Sequence, residues 1–152
     1  MTAKYVPIDE FITLVEWLAS QRSATTPWRF TLFRVGFENP DQIGTSFGAQ
    51  EGMRRLNRFG ASLASVMRRS DLVSRELSVF WVLSSECNAE VVTARLRNIV
   101  DKVGEFGLDI VKCFVSAHVF PHPDLPQVTS GRQLLDSFEK LSQAYRPGTS
   151  RQ

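Results

Sequence analysis

The chain has 152 residues, enough for one domain with its own core. Its 43% hydrophobic and 11% aromatic content excludes an intrinsically disordered chain, and a formal net charge of +2 excludes the strong positive field of many nucleic-acid binders. Residues 1–11 lack the charged-then-apolar pattern of a leader and no apolar run reaches membrane-spanning length, so a soluble, cytoplasmic chain without membrane insertion is expected.

The first expected element is a helix over 9–20. Phe11, Leu14, Val15 and Leu18 recur there at helical spacing, Trp17 flanks them, and Pro7 stands just ahead as a start signal. A Ser-Ala-Thr-Thr-Pro linker (23–27) leads to residues 29–37. Their alternation predicts a strand with Phe30, Leu32 and Arg34 on one face and Phe33, Val35 and Phe37 on the other. Asn39-Pro40-Asp41 is turn chemistry. A long helix is expected over 50–67, striped by Met53, Leu56, Gly60, Leu63, Ala64 and Met67.

Residues 72–75 and 79–83 lie close enough in sequence to form a β-hairpin. Asn88 is placed to cap a helix that keeps its period through Val92, Leu96, Ile99 and Val103, with Gly104 and Gly107 bracketing its end. Residues 109–120, rich in Ile, Val, Phe and Cys, read as a buried strand. A Pro-His-Pro-Asp-Leu-Pro loop follows, then a last helix over 131–145, and the tail from 147 is expected to fray. The order is helix, β-α-β-β-α-β, helix: an α+β, ferredoxin-like core in which helices flank an antiparallel-containing sheet.

Most chemistry-bearing residues have a structural explanation. Cys87 and Cys113 have neither metal-like spacing nor enough company for a disulfide framework, and read as reduced thiols in or near the core. His118 and His122 stand four apart, but Pro121 and Pro123 interrupt the backbone and no carboxylates gather nearby, so solvent-facing loop histidines are expected and no metal site. Ser84-Ser85-Glu86 lacks a nucleophile-elbow context. Trp17, Trp28 and Trp81 read as core or helix-packing aromatics, Trp81 also as a side chain able to fill a pocket or face a partner. Arg54, Arg55, Arg58, Arg68, Arg69 and Arg75 read mainly as a solvated basic face. No aromatic platform accompanies them, so a nucleic-acid partner is not expected.

Certain residues carry a family resemblance. Leu56-Asn57-Arg58-Phe59, continued by Val66-Met67-Arg68-Arg69-Ser70-Asp71-Leu72-Val73-Ser74-Arg75, resembles the segment leading into the signature loop of GGDEF domains. In that family a helix ends in Arg-x-x-Asp, a short strand ends in Arg, and a Gly-Gly-Asp/Glu-Glu-Phe turn follows. Thr93-Ala94-Arg95-Leu96-Arg97 is similar to the family's Glu-Arg-Ile-Arg helix segment. Val115-Ser116-Ala117 stands where the family has a Ser-Ile-Gly strand, and Leu134-Leu135 through Tyr145-Arg146 resembles its closing helix. The resemblance runs from about residue 11 to 148. It implies a GGDEF, palm-like α+β fold over 1–148, with 149–152 as a flexible tail, and a place in bacterial cytoplasmic signalling.

The departures bear on the chemistry. Where the signature turn should stand, the chain has Glu76-Leu77-Ser78-Val79-Phe80, one residue shorter. The family's two glycines allow positive φ and close approach to a nucleotide, which Leu77 and Ser78 allow poorly. Where its first strand supplies a metal-binding Asp, this chain has Phe33-Arg34-Val35-Gly36-Phe37. Mg²⁺ needs hard oxygen ligands, which Arg, Gly and Val do not offer. The Asp-x-Leu-Thr opening and the Phe-Lys-x-x-Asn-Asp nucleotide segment are missing too. The expectation is a degenerate domain that is not an enzyme, with no cofactor.

The resemblance also implies a regulatory site. Arg-x-x-Asp survives as Arg68 to Asp71, and in the family it binds cyclic di-GMP, with Arg95 matching a second, helix-borne arginine. An Arg fork donates to guanine O6 and N7, a carboxylate accepts from guanine N1–H, and Arg69 or Arg97 can pair with phosphate. Two functions are expected in competition. One is a cyclic di-GMP receptor using Arg68, Asp71, Arg95 and Arg69. The other is a protein-interaction or dimerisation module without a nucleotide, in which Arg68 and Asp71 form only a surface ion pair.

Overall fold

The computed structural model describes residues 4–20, 29–85, 88–120 and 130–144. In chain order the elements are β1 (Lys4–Tyr5), α1 (Ile8–Ser20), β2 (Phe30–Phe37), α2 (Asp41–Phe47), α3 (Ala49–Ser65), β3 (Leu72–Glu76), β4 (Val79–Ser84), α4 (Ala89–Val100), a 3₁₀ turn (Val103–Phe106), β5 (Cys113–Phe120) and α5 (Gly131–Ala144). The strands form one five-stranded sheet in the order β1-β3-β4-β2-β5. Every pairing is antiparallel except that of β1 with β3.

Alternation along β2 sorts the core into two layers. Phe33, Val35 and Phe37 face α3 and α4 together with Phe80, Val82, Leu56, Phe59, Leu63 and Leu96. Phe30 and Leu32 face α1 and α5 together with Trp81, Leu83, Phe11, Val15, Leu134 and Phe138. Both faces of β2 are buried along its whole length, because it lies between β4 and β5 and under helices on each side. Among the described residues no helix is long and apolar enough to cross a membrane.

The structure differs from the sequence expectation in several places. β1 and α2 are additional elements. A two-residue strand carries no periodicity; β1 exists because Lys4 and Tyr5 pair with Leu72 and Val73. The turn at Asn39, which has φ +56°, opens into α2 with Pro40 already in helical geometry, and buried Ile43 anchors it. Helix α3 stops at Ser65, so buried Met67 lies beyond it, while Met53 of the expected stripe is exposed. The fourth helix ends at Val100, and Val103 belongs to the 3₁₀ turn, which closes on Gly107 in the left-handed region. The strand expected over 109–120 begins only at Cys113, since Leu108 and Val111 plug the core from a turn.

Asn88 does cap α4, its side chain accepting from the Glu90 backbone N–H. Trp17 is half exposed on α1, so it is not a core side chain, and Trp81 is buried and not presented to a partner. Residues 23–27, Trp28, Cys87, the 121–126 loop and the tail lie outside the described residues.

Gly60 is where α3 comes nearest the sheet. A Cβ there would stand 2.7 Å from the Phe80 ring and 2.6 Å from the Tyr5 hydroxyl. The basic stretch is not a uniform solvated face. Arg55 donates to the Phe106 carbonyl (2.9 Å), lies 4.1 Å from the Phe47 ring centroid and pairs with Glu51 (2.9 Å), tying the 3₁₀ turn and α2 to α3.

Candidate functional site: an arginine turn and a closed hairpin

Two places on the fold answer to the sequence motifs. The first is the turn between α3 and β3. Helix α3 is released where the Met67 N–H bonds back to Ala64 and the Met67 side chain enters the core. The chain then folds on itself: the Asp71 N–H donates to the Arg68 carbonyl, and Asp71 Oδ2 accepts the Arg68 N–H, both at 2.9 Å. Such reciprocal bonding is how short acidic side chains stabilise turns. The Asp71 carbonyl also accepts from the Lys4 N–H, linking the turn to β1.

Asp71 is fully buried, so its carboxylate is a part of the turn and does not project into solvent. Its Oδ1 atom is buried with no hydrogen-bond partner among the described residues. The Arg68 side chain is 39% exposed, with Nε 3.9 Å from Asp71 Oδ2. Arg69 is exposed beside it. Arg95 is partly buried on α4 and lies some 200° around the helix from exposed Arg97, because successive helical residues turn by about 100°. Thr93, Ala94 and Arg97 share a groove with Ala117 of β5, which leaves Arg95 on the flank away from β5. Arg95 and Arg97 therefore serve different faces.

The second place is the β3–β4 hairpin. Glu76 pairs with Val79, so Leu77 and Ser78 alone make the turn. Leu77 stands at φ +56° and is 80% exposed. Leucine adopts positive φ poorly, yet the tight turn imposes it, since two-residue hairpin loops require it. The left-handed region costs a non-glycine residue about 1 kcal/mol. Leu77→Gly is therefore expected to raise stability by about 1 kcal/mol in urea unfolding; an unchanged or lowered midpoint would contradict a strained turn.

Side-chain bonds between separate elements hold the hairpin. Arg75 donates to the Leu77 carbonyl and to Asn57 Oδ1, each at 2.8 Å, strapping the turn to α3. With Tyr5, Val6, Pro7, Asn57 and Ala61 it lines a cleft of about 480 Å³. Burial pushes the Tyr5 hydroxyl above its ordinary pKa, against the opposing pull of Arg75. On the other face, Arg132 of α5 holds Glu76 with both nitrogens (3.1 and 2.8 Å). Neither Asn57 nor Arg132 could be assigned a partner from spacing, because each pairing joins residues at least 18 apart in sequence.

These residues do not fit a divalent-metal centre. Glu76, the turn's acidic residue, is engaged by Arg132, and Phe33 and Val35 are core side chains. Arg34 is 6% exposed and lies 6.0 and 5.6 Å from the Trp81 and Phe114 ring centroids, with Glu139 at 3.6 Å. A buried guanidinium occupies a place where an oxygen ligand would be needed. Among the described residues no three of His, Cys, Asp and Glu gather as a metal site. His118 is on β5 and packs edge-on against Phe138 at 4.6 Å, so it is not the loop residue expected; His122 lies outside the described residues.

Cys113 is partly buried, and burial pushes its thiol from 9.0 up to about 12, with the Phe114 backbone pulling weakly the other way. The thiolate is the reactive form. In a Cys87→Ser background, iodoacetamide at pH 8 is expected to label native Cys113 at least tenfold more slowly than unfolded chain; equal rates would contradict this burial. A raised folded value means that the unfolded chain ionises first, so this group's contribution to stability falls as pH rises from about 9 to about 12.

No family model matches the sequence, and no curated protein sequence is similar to it. Solved structures match it closely in shape. The active GGEEF domain of a diguanylate cyclase from Vibrio cholerae superposes with a TM-score of 0.65 at 12% identity, covering 96% of this chain and 94% of that one. The coiled coil and GGDEF domain of DgcB from Caulobacter crescentus, solved with cyclic di-GMP, gives 0.66 at 14% identity over 94% and 81%. The diguanylate cyclase SiaD from Pseudomonas aeruginosa, solved with its activator SiaC, gives 0.62 at 17% identity; the match covers 88% of this chain but only 55% of SiaD. The chain therefore has the GGDEF fold of diguanylate cyclases, a palm-like α+β sheet between two helical layers.

Proposed function

We propose that this chain is a non-catalytic GGDEF-fold regulatory module that binds cyclic di-GMP at the turn formed by Arg68, Arg69 and Asp71, with Arg95 as the further cation. The observation that carries the proposal is Asp71 Oδ1, a fully buried carboxylate oxygen without a hydrogen-bond partner among the described residues, beside a half-exposed arginine. Buried acceptors are rarely left unmet, and each one invites a donor. A guanine edge offers such a donor through N1–H and the exocyclic amine, while the Arg68 fork meets O6 and N7. Asp71 has two tasks here: Oδ2 shapes the turn and Oδ1 receives the ligand. The loss of catalysis is supported by the hairpin, where Leu77 replaces a flexible turn and Glu76 is held by Arg132.

A second reading is a protein-interaction module without a nucleotide. Complete burial of Asp71 favours it, because a carboxylate shut off from solvent is also shut off from a ligand. Isothermal titration with cyclic di-GMP separates the two. Under the first reading the wild type gives heat and Arg68→Ala loses at least tenfold in affinity, as expected when a charged hydrogen bond of about 1.5–3 kcal/mol is removed. No heat from the wild type up to high micromolar ligand would leave the second reading standing.

A further inference from the structure

Strand β5 is an edge strand of the sheet. All eight of its residues pair with β2 on one side, and among the described residues no strand pairs with its other side. Cys113 through Val119 are each partly exposed, whereas β2 is buried throughout. Natural edge strands are usually short, or protected by lysine, proline or a bulge, since their free N–H and C=O groups recruit other strands. Over Cys113–Phe120 this edge carries no lysine, proline, aspartate, glutamate or arginine. Its register with β2 runs unbroken from Phe37↔Cys113 to Phe30↔Phe120, so it has no bulge.

We infer that β5 joins β5 of a second copy of this chain in an antiparallel pair, making one continuous sheet across a two-fold axis. The choice of occupant comes from self-complementarity. Antiparallel neighbours must share a face, so the sums of paired residue numbers are even. An axis through Ala117 places Val115 opposite Val119 of the second copy on the face that α4 covers. On the other side it places Ser116 opposite His118 and Phe114 opposite Phe120. Aromatic and β-branched cross-strand pairs stabilise sheets, and no like charges meet.

The helix above the edge has the same symmetry. Ala117 shares a groove of about 450 Å³ with Glu90, Thr93, Ala94 and Arg97 of α4. These helix residues lie along one stripe with an acid at its N-terminal end, a base at its C-terminal end, and small residues between. The two-fold through Ala117 and between Thr93 and Ala94 sets α4 antiparallel to its copy. Glu90 of each chain then faces Arg97 of the other, giving two equivalent ion pairs around a centre slim enough for close approach. Two-fold interfaces of this isologous kind are the commonest among protein dimers.

The test is sedimentation equilibrium of the full chain from low to high micromolar concentration. Wild type is expected to form a dimer. Arg97→Glu and Glu90→Arg, both at exposed positions, each turn two attractive pairs into repulsive ones, and each is expected to weaken the dimer by about tenfold or more. The double variant Glu90→Arg/Arg97→Glu is expected to restore wild-type association. In Ala117→Cys, oxidation is expected to link the chains through residue 117 at the axis, located by peptide mapping of the disulfide. A chain that stays monomeric throughout overturns the inference. A dimer indifferent to the single swaps, not rescued by the double swap, or not linked through residue 117 overturns it equally.

Discussion

Arg34→Asp is expected to destabilise the fold by about 3–5 kcal/mol, the cost typical of a buried charge left without a partner. Arg34 sits in the central strand at 6% exposure, with the Trp81 and Phe114 rings on either side of its guanidinium and Glu139 within 3.6 Å. A planar cation suits the faces of aromatic rings, which repel an anion. The shorter aspartate would meet those faces and the like charge of Glu139, with no route to solvent. Arg34→Met is the control. It keeps the apolar stem, and the Glu139 side chain is 42% exposed, so water can take over its solvation. The expected loss for that variant is below about 1.5 kcal/mol, within the range of volume-conserving swaps. Urea unfolding of both variants gives the comparison. If Arg34→Asp folds with an unchanged midpoint, the position is wet enough for a metal ligand, and the argument against a metal centre fails with it.

Phe59→Ala is expected to cost about 3–5 kcal/mol, a large share of the roughly 5–15 kcal/mol that keeps a domain of ordinary stability folded. Phe59 is fully buried on α3, and its ring meets three others edge-on: Phe80 at 5.4 Å, Phe106 at 5.8 Å and Phe37 at 5.9 Å. Such pairs add stabilisation beyond the area buried. They also fix α3 over β2 and β4 and under the 3₁₀ turn, so the same helix that carries Asn57 to the hairpin and ends at the Arg68 turn is positioned by this one ring. Phe59→Leu retains most of the volume and is expected to lose less than half as much. A Phe59→Ala loss under about 1.5 kcal/mol would show that the four rings are not a single packed unit.

Much of this architecture could be read from the chain itself, for reasons particular to each segment. The two faces of β2 followed from strict alternation, Phe30 and Leu32 against Phe33, Val35 and Phe37, and the structure sorts them into the two core layers. Asn88 announced its helix because a capping side chain acts locally. The elements not anticipated are those made by distant contacts: β1 by pairing with β3, and α2 by Ile43 reaching the core. The site followed the same division. Arg68 and Asp71 were visible as a spaced pair, yet spacing does not tell whether a carboxylate points outward or closes its own turn, and burial decides that. The grip of Arg75 on Asn57 and of Arg132 on Glu76 joins separate elements, so no local pattern could reveal it.

The central claim, that this GGDEF fold binds and does not synthesise, is tested most directly by incubating the purified full chain with GTP and Mg²⁺ or Mn²⁺ and separating the products by chromatography. The expected result is no cyclic dinucleotide above a protein-free blank. Accumulation of cyclic di-GMP above that blank, abolished when the chain is heat-denatured beforehand, would contradict it.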